Sequence, residues 1–174
     1  MPTILFGLLI PLAVAAIGLW QSESIARLVS AIPLPWLVAA QVYRVAGGIF
    51  LVLWADGRLP WQFALPAGFG DLTTGIVAVV VAALLAQNAF GARRATYAWC
   101  LFGIADLVVA ITMGAMTSPG RPHLLAFEAP NLLVTAYPLV MVPTFAVPLA
   151  LMLHGLVLWR LRRETASTGQ LVAA

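Results

Sequence analysis

Residues 38–54 read VAAQVYRVAGGIFLVLW, and what this stretch is decides the fold. It belongs to an apolar run of the length a bilayer-crossing helix takes, about 20 mostly apolar residues. Yet Arg44 stands near its middle, with Gly47 and Gly48 three and four residues further on. A lone guanidinium at mid-depth costs about 2.5–3.5 kcal/mol on insertion scales. The stretch crosses a membrane only if something inside a bundle answers that charge.

The whole chain supports the membrane reading. Of its 174 residues, 63% are apolar and only 9% are charged, against roughly 45–50% and about 25% in ordinary soluble domains. Too few polar side chains exist to cover a water-facing surface, so lipid is a large part of the solvent. The net charge is +3, and the nine basic residues are scattered or terminal. No basic groove interleaved with aromatics appears, which argues against nucleic acid as a partner. The single cysteine, Cys100, lies in an apolar stretch and excludes an intramolecular disulfide.

Five segments are long and apolar enough to span: 3–20, 34–54, 66–88, 95–117 and 138–160. The first lacks a basic start, and Trp20-Gln21-Ser22 follow it in place of a small-residue cleavage site, so it reads as a retained span. Arg27, Arg93-Arg94 and Arg160, Arg162 and Arg163 then fall on one side, which the positive-inside rule makes cytoplasmic. The expected topology has the amino terminus outside and the carboxyl terminus inside. Residues 164–174 are polar without periodicity and are expected to form a disordered cytoplasmic tail. The expected fold is therefore an all-α integral membrane bundle of about five transmembrane helices, residues 1–163.

Two stretches complicate that picture. DGRLPWQFALPAGFGD (56–71) carries Pro60, Pro66 and three glycines, and reads as a rigid turn delivering Asp71 to the outer part of span three. Residues 124–160 are too long for one span, and prolines stand at 130, 138, 143 and 148. The expectation is an outer interfacial or re-entrant segment over 124–136 running into a kinked last helix. A short echo links GFGDLTTGI (68–76) and GIADLVVAI (103–111); nine positions fit an inverted pair or coincidence.

Charges inside the spans are the leads to function. Asp106 lies near the middle of span four, as Arg44 does in span two, and opposite charges at one depth are best tolerated facing each other. Small residues at Gly47, Gly48, Gly103 and Ala110 let the two helices approach. The pair reads either as part of an ion or proton path or as a structural clamp fixing helix register. Asp71 shares a helical stripe with Gly68, Thr74, Gly75, Ala78 and Ala82. It reads as a helix-start carboxylate, or as part of an outer vestibule with Asp56, Arg58, Arg121, His123, Glu128 and Asn131. His154, in the inner half of span five, reads as a proton relay, a haem ligand or a packed neutral imidazole. No sequence pattern of a nucleotide-binding loop, zinc protease or serine hydrolase is present, and no metal site is expected.

The runs QVYRVAGGIFLVLWADGRLPWQFALPAGFGDLTTG (41–75) and VPTFAVPLALMLH (142–154) resemble segments of small multi-pass bacterial inner-membrane proteins of unassigned function. That resemblance implies a bacterial inner-membrane location and brings no activity with it. Three functions stay open: a small transporter or ion-conducting protein, a cofactor-binding redox protein holding haem, and an accessory subunit whose buried pair is architectural. A homodimer or small homo-oligomer is expected, because five spans offer limited room for a pathway.

Overall fold

A computed structural model describes residues 2–119, 124–126 and 130–173, and the chain is helical with no strand among them. The elements are α1 (Pro2–Gln21), α2 (Glu23–Ala31), α3 (Leu34–Ala39), a 3₁₀ segment (Ala40–Gly48), α4 (Ile49–Ala55), α5 (Trp61–Ala86) and α6 (Ala92–Thr117). A short 3₁₀ turn (Leu133–Thr135), a π segment (Val142–Ala146) and α7 (Val147–Ala173) complete the order. Four stretches are long and apolar enough to cross a membrane: Leu34–Ala55, Trp61–Ala86, Ala92–Thr117 and Val142–Glu164. The pair α1–α2, bent by 100°, makes a fifth when the two helices are counted as one span.

Helix α1 turns through 100° into α2. The break falls at Ser22, whose extended backbone and side chain cap α2 by accepting from the Ile25 N–H at 3.3 Å. Residues 23–31, expected from sequence to be a connection between the segments 3–20 and 34–54, thus form a helix that the sequence reading missed. It is amphipathic, with Leu28 exposed on one side and Glu23 and Arg27 paired on another. Its C-terminal end is held by Arg160 of α7, whose Nη1 donates to the carbonyls of Val29, Ser30 and Ile32 at 3.1, 2.9 and 2.8 Å. A cation there also meets the negative end of the helix dipole. Replacing Arg160 with methionine is expected to destabilise the protein by about 1.5–3 kcal/mol, the range for charge-assisted hydrogen bonds. Faster amide exchange over α2 and a lower melting temperature in micelles are the readouts; unchanged exchange would discard the capping role.

The turn after α4 is shorter than the sequence implied. Gly57, at φ +69°, closes a Schellman motif in which Arg58 N–H donates to Leu53 O at 2.8 Å and Gly57 N–H to Trp54 O at 2.8 Å. Pro60 is extended, and α5 begins at Trp61 and runs through Pro66. One proline removes one backbone donor, which a helix packed inside a bundle tolerates. Asp71 therefore lies ten residues into its helix instead of five into a span starting at 66, and this places it near mid-depth.

Helix α5 is the hub. Its buried face carries Ala64, Ala67, Gly68, Thr74, Gly75 and Ala78, and small residues there admit close neighbours. A Cβ on Gly75 would stand 2.8 Å from the Val45 backbone nitrogen, so α5 and the 3₁₀ segment touch main chain to main chain. Two apolar layers hold the ends of the bundle. One joins Leu34, Val38, Ala78, Trp99, Val157 and Leu161; the other joins Phe50, Leu53, Leu59, Phe63, Ala67 and Val134. Between them runs a third cluster of Leu8, Leu107, Val147 and Ala150, which ties α1 to α6 and α7.

Residues 130–146 lap over the C-terminal end of α6 without forming a re-entrant helix. Asn131 N–H donates to Thr117 O at 2.9 Å, while Leu124 and Leu125 N–H both reach Met116 O at 3.0 Å. Helix α7 continues to Ala173, through the residues expected to be a disordered tail. Arg160 and Glu164 approach at 3.5 Å one helical turn apart, and Arg93 pairs with Glu164 at 2.7 Å, so the start of that stretch is anchored.

Candidate functional site

The geometry of the 3₁₀ segment sets the site. Side chains three residues apart eclipse one another in a 3₁₀ helix, and Val38, Gln41, Arg44 and Phe50 are all buried on that spacing. Gln41, Arg44 and Gly47 consequently line one face, aimed at the bundle interior. A 3₁₀ run of nine residues is long, since runs beyond three or four are uncommon.

Arg44 is almost wholly enclosed, and its guanidinium is largely occupied. Nε donates to Asp71 Oδ1 at 2.7 Å, and Nη2 reaches the same oxygen at 2.7 Å. Nη2 also donates to Asp106 Oδ2. Nη1 points to Gly103 O at 3.4 Å and to His154 Nε2 at 3.5 Å. A guanidinium has five N–H donors; four of them meet acceptors here, and Nη2 lies in addition within ion-pair distance of Asp71. Arginine has only donors, so the Nη1 contact is a hydrogen bond when His154 is neutral with its proton on Nδ1. That Nδ1 is buried with no hydrogen-bond partner among the described residues.

Glycines make the cluster possible. A Cβ on Gly70 would fall on the Asp106 carboxylate, one on Gly47 on the Asp71 carboxylate, and one on Gly103 on the His154 ring. Three segments each give up a side chain where another segment brings a polar group. The His154 ring lies against Trp99, with centroids 4.7 Å apart, and Trp99 Nε1 donates to Thr74 O at 3.0 Å.

One carboxylate of the cluster faces open space. A cavity of about 190 Å³ is lined by Tyr43, Arg44, Asp71 and Phe50, with Val142 and Ala146 as its far wall. The Asp71 side chain is 17% exposed and that of Asp106 6%; only Asp71 lines the cavity. Two side chains of the 3₁₀ segment grip the start of the last span: Tyr43 OH donates to Ala146 O at 2.7 Å, and Gln41 Nε2 to Ala150 O at 3.0 Å.

Arg44 thus meets Asp106 and, in addition, Asp71. The vestibule expected on the outer side does not assemble among the described residues. Asp71 is drawn inward to Arg44. Asp56 and Arg58 are exposed on the Schellman turn. Asn131 is fully buried, its Oδ1 accepting from Val134 N–H at 3.4 Å. Arg121, His123 and Glu128 lie outside the described residues. His154 does not fit a haem ligand, alone or across a dimer. Its ring is completely buried, one nitrogen faces a cation, the other is enclosed, and the cavity does not reach it. Among the described residues, no three histidine, cysteine or acidic side chains gather to hold a metal ion.

A family model described as a domain of unknown function (DUF8737) matches residues 1–162. The chain belongs to this family. The match takes in α1 to α6, the last span as far as residue 162, and every member of the Arg44 cluster. No curated protein and no solved structure matches the chain.

Gln41 and Trp99 escaped the sequence reading as members of the site. Gln41 had a signal: it stands three residues before Arg44, and Gly47 three after. The nine-residue echo had another, because its two aspartates, Asp71 and Asp106, end on the same guanidinium from consecutive helices.

Proposed function

We propose that this membrane protein is a small proton-translocating transporter, with Arg44, Asp71, Asp106 and His154 as its proton-binding centre. The observation that carries the reading is a charge count: two carboxylates share one guanidinium in the bundle interior. With a neutral imidazole, the cluster has a formal charge of −1, and an uncompensated charge at that depth is expensive. One proton removes it. Asp71 is the carboxylate that exchanges this proton, since it lines the cavity, while Asp106 and His154 hold the guanidinium in place behind it.

The protein resides in a bacterial inner membrane with its arginine-rich end toward the cytoplasm. Support comes from Arg27, Arg93, Arg160 and Arg163, carried on α2, the start of α6 and the end of α7, elements that Arg160 and Arg93 join at one end of the bundle. A homodimer is part of the proposal, and crosslinking in native membranes tests it.

Proteoliposomes carrying a pH gradient and an internal pH-sensitive dye test translocation. Wild-type protein is expected to collapse the gradient, and Asp71→Asn to fall to the empty-vesicle background while keeping the fold. Equal flux through Asp71→Asn, or none through folded wild type, refutes the reading. A purely architectural clamp is the rival, favoured by the set of partners around Arg44. It predicts no wild-type flux at all.

A further inference from the structure

An apolar cavity with a single anionic end is the least explained feature of the bundle. We infer that the cavity beside Asp71 binds a small organic ammonium ion in exchange for the cluster's proton. This rests on the proton-binding reading above and adds the substrate class.

Three observations converge. The cavity of about 190 Å³ is below the roughly 300–1,000 Å³ that holds a drug-sized ligand, so its occupant has few heavy atoms. The only charged groups in its wall are Asp71 and Arg44, and Arg44 already has four of its five donors filled. What is left is negative. The remaining wall is apolar or aromatic, with Phe50, Leu107, Val142 and Val147 among the contacts. Tyr43 spends its hydroxyl proton on Ala146 O. A hard inorganic cation needs several oxygen ligands, as calcium and magnesium do, and this wall offers one carboxylate. An alkylated ammonium instead presents methyl groups to the apolar wall, which includes Tyr43 and Phe50, and charge to the carboxylate. Two of the lining residues, Ala46 and Ile49, are exposed.

Exchange follows from charge balance. The empty cluster carries −1; one proton or one ammonium ion brings it to zero, and both together would leave +1 in the interior. Each therefore excludes the other. The titratable or charged groups facing Asp71 are Arg44 and Tyr43 from the 3₁₀ segment, Asp106 from α6 and, behind the guanidinium, His154 from α7. Helix α1 and residues 142–150 contain no titratable side chain.

Titration calorimetry of the purified full-length protein in micelles, with tetramethylammonium chloride as ligand and sodium chloride as control, decides the matter. Binding is expected at pH 8, weakening about tenfold per pH unit once the protonated form dominates, because the competent fraction falls by that factor. Asp71→Asn should abolish it. So should Ala46→Leu, which puts a larger side chain at an exposed position of the cavity wall outside the charged cluster, and which guards against a folding defect in the first variant. No binding to folded wild-type protein overturns the inference, as does binding that survives both variants or that shows no competition from protons down to the lowest pH at which the protein stays folded. Proton flux is measured separately. Flux without ammonium binding sinks this inference alone; Asp71-dependent, pH-sensitive binding without flux sinks translocation and keeps the ligand.

Discussion

Arg44→Met is expected to be among the most damaging single substitutions in the protein. Removing one partner of a buried ion pair costs about 3–5 kcal/mol, because the other charge is left without compensation. Here two carboxylates, Asp71 and Asp106, lose the same guanidinium at once. The loss is comparable with the whole stability of many domains, about 5–15 kcal/mol, so the variant should fail to accumulate and melt far below wild type in micelles. Lysine should rescue only in part, since a point-charge ammonium cannot reach two carboxylates, Gly103 O and His154 together. The triple variant with Asp71→Asn and Asp106→Asn should recover accumulation without recovering proton flux. If Arg44→Met alone accumulates and melts like wild type, the cluster is not what holds these helices in register.

Gly70→Ala is the second large effect. Its new Cβ would occupy the position of the Asp106 carboxylate, so either the ion pair moves or the helices part. Overpacking of this kind costs about 1–3 kcal/mol, and displacing a buried charge from its partner adds to it. Gly155→Ala is the matched control on α7: nothing stands within 4 Å of its Cβ position, and alanine is favoured over glycine in a helix by about 0.8–1.0 kcal/mol. Thermal unfolding should therefore separate the two clearly, with Gly70→Ala falling and Gly155→Ala unchanged or rising. Similar melting temperatures for both would mean that α5 and α6 have slack at the site.

Much of the architecture was legible because a bilayer imposes a strong requirement on sequence. Any run of about 20 apolar residues must be a helix there, since unpaired backbone groups have no water to meet. Depth matching also brought Arg44 and Asp106 together without coordinates. Asp71 was harder. Pro66 looks like a helix boundary in sequence, and only the packed bundle shows the helix passing through it from Trp61. The amphipathic α2 hid in a stretch too short and too polar to register as a span, although Ser22 followed by Glu23 is a fair capping signal. The cavity was not legible at all. It depends on a switch from α to 3₁₀ in one span and to π in another, and helical periodicity in a sequence does not separate those winding states over a few residues.

The winding of the Arg44 span has a consequence for length. Leu34–Ala55 contains 22 residues, whereas α5 and α6 contain 26 each. As a plain α-helix the shorter span would reach about 33 Å beside neighbours of about 39 Å. With nine residues stretched to the 3₁₀ rise of about 2.0 Å, it reaches about 37–38 Å. A tighter coil thus lets a span four residues short cover nearly the same thickness as its partners, and the arginine sits in the extended part.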